Sequence, residues 1–478
     1  MSVETNEDQK THLAVIGAGP GGYAAAFLAA DLGMDVTVID PEANPGGVCL
    51  YRGCIPSKAL LHVAKLIRET SEAADWGVRF GEPEIDLDRM RAWKDGVVEK
   101  LTGGLGQLTK QRKIRHVRGR AAFTGATSLE IEMADGGRQS LVFNHAIIAT
   151  GSRPVVLPGF PTDSKRLLDS TSALDLHDVP GKLLIVGGGY IGLELGSVYS
   201  ALGSKVTVVE MMPSLLPGVD KDLVRPLAKK LGGEFESILL RTKVAEVKEQ
   251  KNGLKVRLEG EGIEKPERLF DKVLVSVGRR PNSEGLGLES TKVEIDEQGF
   301  IRVDAQLRTA EPTIHAIGDV VGQPMLAHKA SHEGRTAVEA IGGQKVAFEP
   351  QAIPAVVFTD PEIAWCGLTE DEAKQAGRKI AVARFPWAAS GRATTLGRDD
   401  GVTKLIIDPD TERILGVGIS GPGAGELIAE GVLAIEMGAL ATDLKLTIHP
   451  HPTLSETMME AAEVFFGQST HVYRPKRA

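Results

Sequence analysis

Cys49 and Cys54 stand five residues apart in the segment GGVCLYRGCIPSK, and they are two of only three cysteines in 478 residues. So few cysteines cannot frame a chain of this length, and a closely spaced pair therefore points to chemistry rather than scaffolding. On a regular helix, residues five apart point too far from each other to bridge; Gly53 permits the irregular backbone that a bridge requires. Such a bridge closes a very small ring, adds little loop-closure stability and is readily reduced, which suits a redox dithiol. Spacing alone leaves the alternative of two unbridged buried cysteines acting as small apolar residues. Pro56 fits the first turn of a helix that starts at Cys54, which places Lys58 one turn on and on the same face. Cys366, in EIAWCG, has no partner at comparable spacing and reads as a buried small residue.

The elements that position this pair are legible in an internal repeat. Residues 12–16 form a short apolar strand that runs into Gly17, Gly19 and Gly22, then a helix of small residues, then a second strand over 36–39 ending at Asp40. Residues 183–186 repeat the pattern into Gly187, Gly189 and Gly192, a helix IGLELGSVYSALG, and a strand over 206–209 ending at Glu210. The interval from first glycine to acid is the same in both copies. One glycine of each set makes the turn, one lets the backbone approach a pyrophosphate, and one lets helix and strand pack closely, with the phosphate charge at the helix N-terminus. A single G-x-G-x-x-G arises for steric reasons alone, but two copies flanked by strand and helix and closed by an acid indicate two dinucleotide sites.

Each copy has a return strand, HAIIATGSRP (145–154) for the first and VLVSVGRRPN (273–282) for the second. A further buried strand, IHAIGD (314–319), belongs with the first copy, so the second unit reads as an insertion into the first. From about Gln351 the texture changes to alternating strands, AVVFTD, TKLIIDP and ILGVGIS, with helices at ELIAEGVLAIEMG and from near Thr453, which predicts a separate α+β domain.

Composition narrows the function classes. A net charge of -9 without a basic run excludes a nucleic-acid binder, whose phosphates demand clustered Lys and Arg. No apolar run has the length to span a bilayer, and the opening residues MSVETNEDQK are polar and acidic, so neither a membrane nor an export address is expected. A cytoplasmic protein with a catalytic dithiol fits best.

The ordered motifs GAGPGG, GGVCLYRGCIPSK, ATGSRP, GGGYIGLE, VGRRPN, AIGD and HPHPTLSE resemble the flavoprotein disulfide reductase family, the class I pyridine nucleotide-disulfide oxidoreductases, over essentially the whole chain after the N-terminal tail. GGVC together with HPTLSE is more similar to its lipoamide branch than to the glutathione reductases. The resemblance implies two Rossmann-like dinucleotide-binding domains, for FAD and NAD, plus a C-terminal α+β dimerisation domain. The expected division is 1–153 and 283–350 for FAD, 154–282 for an inserted NAD domain and 351–478 for dimerisation. It further implies that Gly17, Gly19, Gly22, Asp40, Thr150, Gly151 and Asp319 hold FAD. Most members carry Glu where this chain has Asp40, which alters the reach to the ribose. Gly187, Gly189, Gly192, Glu210 and Gly278 correspond to the NAD site, and Lys58 with Glu194 to an ion pair beside the flavin; on composition alone those two also read as a surface charge and a helix-face residue. Physics adds a reason for NAD over NADP. A carboxylate at Glu210 accepts hydrogen bonds from a ribose 2'-hydroxyl but repels a 2'-phosphate, and the next arginine is Arg225.

A dithiol substrate needs a base that titrates near neutrality, as histidine does. The resemblance selects His451, with Glu456 to orient its imidazole; the interval to Glu456 distinguishes it from His449. Thr453 and Glu456 also spell a helix capping box. By resemblance, Cys49 exchanges with the substrate, Cys54 faces the flavin, and a homodimer places the histidine of one protomer at the dithiol of its partner. The implied reaction oxidises dihydrolipoyl groups on the acyltransferase core of a 2-oxo acid dehydrogenase complex and reduces NAD. FPWAASGRA is similar to bacterial members that serve the pyruvate dehydrogenase complex. Glu210 counts against NADP-linked reductases, the lack of C-terminal cysteines against mercury chemistry, the dithiol against a flavin transhydrogenase, and the dithiol with His451 against a purely structural subunit.

Overall fold

A computed structural model describes residues 9–473; the N-terminal residues 1–8, on which the reading of MSVETNEDQK mostly rests, lie outside it. The chain divides into two compact units. The first takes 1–59, 86–155 and 278–349, and the second takes 60–85, 156–277 and 350–478. Among the described residues, no helix is long and apolar enough to cross a membrane.

In the first unit, strand β1 (Gln9–Ile16) leads through Gly17 into helix α1 (Pro20–Asp31) and strand β2 (Val36–Asp40). β1 lies between β2 and the strand Arg138–Ile148, parallel to both, and Ile314–Ala316 adds on the far side of the latter. Nearly all of these side chains are buried on both faces, which is why LAVI, VTVI and HAII are close to continuous apolar runs, interrupted by Thr37 and His145, rather than alternating. The strand Arg115–Gly125 starts parallel to β2, then turns antiparallel onto Ser128–Met133, which pairs in turn with the front half of Arg138–Ile148. Each fully buried Leu or Ile of this core, Leu13, Leu141 and Ile147 among them, contributes about 1.5–3 kcal/mol.

Two glycines are irreplaceable in this frame. A Cβ on Gly17, at φ +99°, would stand 2.4 Å from the carbonyl oxygen of Ala149, and one on Gly22 would stand 1.9 Å from that of Gly17. The segments ATGSRP and VGRRPN also meet: Ser152–Pro154 pairs antiparallel with Arg279–Pro281. The sequence alone places these two triplets only as the tails of separate strands.

Three imidazoles line up across β1, Arg138–Ile148 and Ile314–Ala316, tilted or edge-on to one another: His12 to His145 at 6.1 Å between ring centres, and His145 to His315 at 6.3 Å. Nδ1 of His145 and of His315 is buried without a hydrogen-bond partner. Burial, with smaller contributions from His145 and Arg308, pushes the His315 imidazole down to about 4. The unfolded chain therefore binds the proton that the native state refuses between about pH 6.5 and 4, so stability falls as pH drops through that window, by about 3 kcal/mol at its end. Urea denaturation of wild type and His315→Leu is expected to show this: the variant gains on wild type by about that amount between pH 7 and pH 4. Parallel pH profiles would contradict it.

The second unit holds a parallel sheet in the order Ser237–Leu239, Lys205–Val209, Lys182–Val186, Lys272–Val275 and Leu167–Leu168, with helix Tyr190–Ala201 after Gly189. An antiparallel sheet of three strands, Thr242–Gln250, Gly253–Gly260 and Glu267–Phe270, follows. The C-terminal part is an antiparallel five-stranded sheet backed by helices Ala424–Glu436, Ala441–Leu446 and Glu456–Phe466. Two of its strands, Ile363–Gly367 and Ala381–Pro386, are additional to the three expected. By contacts the middle segment groups with the C-terminal part, and the reason is visible: buried Lys404 of the antiparallel sheet donates to Asp222 at 2.7 Å, to Glu370 at 3.0 Å and to Asp220. Cys366 is buried in this sheet, and burial pushes its thiol up to about 12, so it is inert.

Candidate active site

The dithiol sits where one helix stops and another starts. Helix α2 (Gly47–Arg52) carries Cys49, Gly53 breaks the run, and helix α3 (Cys54–Glu72) begins at Cys54. A Cβ on Gly53 would stand 2.9 Å from the Val48 carbonyl oxygen and 3.3 Å from the Cys49 Cα, so only glycine lets the two helices fold back at this point. The break brings the cysteines together as thiols hydrogen-bonded to each other. That hydrogen bond, then burial, raises the Cys49 thiol far above its ordinary range, against the opposing pull of Lys58 one turn along α3.

Tyr23, on α1, is a neighbour the sequence did not flag. Burial first, and then the two cysteines, raise its phenol. The only sequence signal is an aromatic residue immediately after GAGPGG.

The glycine loop ahead of α1 is built to receive an anion. Gly19 caps α1 without any side-chain hydrogen bond, so the first-turn N–H groups are not covered by a side chain. Gly47 packs onto this loop so closely that a Cβ on it would be 2.5 Å from the Gly19 Cα. Asp40, buried at the end of β2, accepts the Ala18 N–H at 2.7 Å on one oxygen and the Glu42 N–H at 2.9 Å on the other. Each oxygen keeps a lone pair for a further donor. The shorter acid at this position therefore still reaches the loop.

Thr150 and Gly151 are held by Asn282: the Thr150 hydroxyl donates to the Asn282 carbonyl at 2.7 Å, and the Asn282 N–H donates to the Gly151 carbonyl at 2.9 Å. Asp319 accepts from the Ser152 hydroxyl on Oδ2, and the Arg279 Nε donates to that hydroxyl at 2.7 Å. Oδ1 of Asp319 is left to accept from a ligand.

The second unit repeats the first loop closely. Gly187 has φ +107°, a Cβ on Gly192 would meet the Gly187 carbonyl at 2.4 Å, and Gly189 caps helix Tyr190–Ala201 with no side-chain bond. Glu210 accepts the Gly188 N–H at 2.6 Å and the Met212 N–H at 2.8 Å, the same circuit that Asp40 makes. The next arginine in sequence is Arg225, but the chain returns beside Glu210 in space: the Arg241 N–H donates to the Met212 carbonyl at 3.1 Å. Glu194 is buried in this unit, accepting the Phe358 N–H at 3.0 Å, whereas Lys58 belongs to the first unit. Gly278, at φ +126°, also groups with the first unit.

His451 is exposed, and its Nδ1 meets Glu456 Oε1 at 2.9 Å. The other Glu456 oxygen accepts the Thr453 N–H at 2.7 Å, which is one half of the capping box; Thr453 Oγ1 turns away to the Pro450 carbonyl, and the helix starts one residue after Ser455. Glu456 thus serves helix and histidine at once. Its burial opposes ionisation, but the hydrogen bonds from Thr453 and His451 outweigh it and hold the carboxyl below its usual range. His449 is committed elsewhere, with Nε2 on Glu430 at 2.8 Å and Nδ1 on the Thr447 carbonyl at 3.0 Å.

Residues 11–334 match the family model described as pyridine nucleotide-disulphide oxidoreductase, and residues 353–462 match that family's dimerisation domain. The chain belongs to the pyridine nucleotide-disulphide oxidoreductases. It is 50% identical over 471 residues to the dihydrolipoyl dehydrogenase of Vibrio cholerae, covering 98% of this chain and 99% of that protein. Among solved structures it is similar to LpdA from Mycobacterium tuberculosis, with a TM-score of 0.88 and 27% identity over 95% of this chain and 99% of the other. The HOCl-induced flavoprotein disulfide reductase RclA of Escherichia coli gives a TM-score of 0.83 at 29% identity, covering 95% and 99% of the two chains. As a member of the pyridine nucleotide-disulphide oxidoreductases, the chain is an enzyme that uses FAD and NAD, and the uncapped helices behind two glycine loops fit dinucleotides with their pyrophosphates. The matched dimerisation domain supports a homodimer.

Proposed function

We propose that this chain is a dihydrolipoyl dehydrogenase, oxidising lipoyl dithiols at Cys49 and Cys54 and delivering the electrons through FAD to NAD. The observation that carries it is the hydrogen-bonded Cys49–Cys54 pair at the Gly53 break, in a chain half identical, end to end, to a dihydrolipoyl dehydrogenase.

In this reading 1–153 and 283–350 form the FAD domain, 154–282 the NAD domain and 351–478 the dimerisation domain. Gly17, Gly19 and Gly22 receive the flavin nucleotide's pyrophosphate, Asp40 its ribose, and Thr150, Gly151 and Asp319 the remainder. Gly187, Gly189, Gly192 and Gly278 line the NAD site, where Glu210 accepts the ribose 2'-hydroxyl. Lys58 and Glu194 supply an ion pair beside the flavin. His451 of one protomer serves the dithiol of its partner.

The chain's own steps follow from the site. With Nδ1 bonded to the Glu456 carboxylate, His451 presents Nε2 as the base. It takes a proton from one lipoyl thiol, and the thiolate attacks the sulfur of Cys49 in the oxidised pair, breaking the bridge so that Cys54 leaves as thiolate. The second lipoyl thiol then gives up its proton as its sulfur attacks the first, forming oxidised lipoyl and expelling Cys49, which takes that proton, while the first proton stays on His451 opposite the Cys54 thiolate. FAD held by the first unit would supply the two-electron redox chemistry that links the Cys49–Cys54 dithiol to NAD.

The partners of this reaction are the lipoyl groups and acyltransferase core of a 2-oxo acid dehydrogenase complex in the cytoplasm. The deciding experiment supplies purified protein with dihydrolipoamide and NAD. NADH formation is expected, with NADP at least about tenfold poorer because Glu210 repels its phosphate. Reduction of glutathione disulfide by NADPH in place of that activity would refute the assignment.

A further inference from the structure

The turn at residues 318–322 carries Asp319, and it is pinned from behind by a buried ion pair that neither the dithiol chemistry nor the glycine loops use. Helix Ala327–Ile341 places Lys329 and Glu333 four residues apart, facing each other at 2.7 Å and both buried. Burying such a pair is costly unless its remaining hydrogen-bonding capacity is used. Here it is used on the turn. The second oxygen of Glu333 accepts the Gly318 N–H at 2.7 Å, and Lys329 Nζ donates to the Gly322 carbonyl at 3.4 Å. The two ends of the turn are thus bonded to the two members of one pair. Gly318 has φ +77°, and a Cβ there would meet the Ala330 Cβ at 3.1 Å, so the turn lies directly against the helix.

The same helix also grips the first turn of α1. A Cβ on Gly334 would stand 2.7 Å from the Gly21 carbonyl, and the Ser331 hydroxyl donates to the Pro20 carbonyl at 3.1 Å. On its other side the Asp319 carboxylate accepts from the Ser152 hydroxyl, and the carbonyl of the next residue, Val320, accepts the Ile301 N–H at 2.8 Å. Removing Lys329 would leave Glu333 as an unpaired carboxylate close to Asp319, and burial together with Asp319 already raises the Glu333 carboxyl above its usual range.

We propose that Lys329 and Glu333 are positioning residues for FAD: a buried clamp that holds the 318–322 turn, and with it Asp319, in register with the glycine loop of α1. This rests on the assignment of the first unit to FAD. Glu333→Gln presents an amide N–H to the lysine, and Lys329→Met removes the cation, so each opens the clamp while leaving Asp319 in place. Lys329→Gln keeps a donor without the charge.

The test follows FAD release from diluted holoenzyme by the rise of free-flavin fluorescence, and records melting with FAD bound and after its removal. Glu333→Gln and Lys329→Met should speed FAD release about 10–100-fold, with Lys329→Gln in between. The rise in melting temperature on FAD binding should shrink in all three. Unchanged release, with bound and stripped forms destabilised equally, would show the pair to be merely structural and overturn the clamp. Should Lys329→Met fail to fold, Lys329→Gln decides by the same two readouts. A wild type without affinity for FAD would overturn the underlying assignment and the clamp with it; a wild type that holds FAD beside variants that hold it equally well overturns the clamp alone.

Discussion

Cys54→Ser should lower turnover of dihydrolipoamide by at least roughly 10³-fold while the protein keeps its FAD, because removing one member of a covalent pair removes the route for electrons. Cys54 is exposed at the first residue of α3, and serine preserves its size, so neither fold nor flavin retention depends on the sulfur. Cys49→Ser should be as inactive. The two variants nevertheless separate the roles. Given oxidised lipoamide, Cys54→Ser should accumulate a mixed disulfide through Cys49, visible as an added mass on the intact protein, and Cys49→Ser should not. Adduct formation on the wrong cysteine would reverse the assigned order, and loss of flavin from Cys54→Ser would show that a folding residue had been mistaken for a redox one.

His451→Gln is the second large effect, a loss of about 10²–10⁴-fold in kcat/KM for dihydrolipoamide. The side chain is mostly exposed, so the melting temperature should hardly move. Glu456→Gln sharpens the case. Its amide oxygen can still accept the Thr453 N–H, which preserves the helix start, but its NH2 would then face Nδ1 of His451 as a donor. The imidazole must switch tautomer, carrying its proton on Nε2, and it loses its capacity as a base there. A loss approaching that of His451→Gln, with an unchanged melting temperature, is expected. Were Glu456→Gln instead destabilised but fully active, the carboxylate would be a helix cap and nothing more.

What the sequence disclosed and what it hid divide along a physical line. The dithiol, the glycine loops and the acids that close them were legible because each depends on local backbone chemistry: Gly53 admits the helix break, Gly17 the left-handed turn, and Asp40 and Glu210 stand at a fixed interval from the turn they serve. Hidden were contacts that only tertiary folding creates. SRP and RRP lie more than a hundred residues apart yet pair as strands, Arg241 returns beside Met212, and the helix bearing Lys329 and Glu333 reads as an ordinary amphipathic segment until Gly318 and Gly322 are seen at its side. The C-terminal sheet was under-read because WCG and the short ARF segment carry weak strand signals beside their Gly and Pro neighbours, and only burial against Trp387 and the adjoining strands fixes them. Glu456 was ambiguous in the sequence because both readings are partly true.

The matched pair of acid circuits has a kinetic side. Asp40 and Glu210 each tie the loop that precedes a helix to the end of the neighbouring strand, with both carboxylate oxygens already engaged by backbone N–H groups. Each loop is therefore ordered by the chain's own hydrogen bonds, and on the proposed assignment an arriving nucleotide would meet a preorganised cradle instead of a mobile turn, so its association would not wait on loop closure and little of its binding energy would be lost to immobilising the protein.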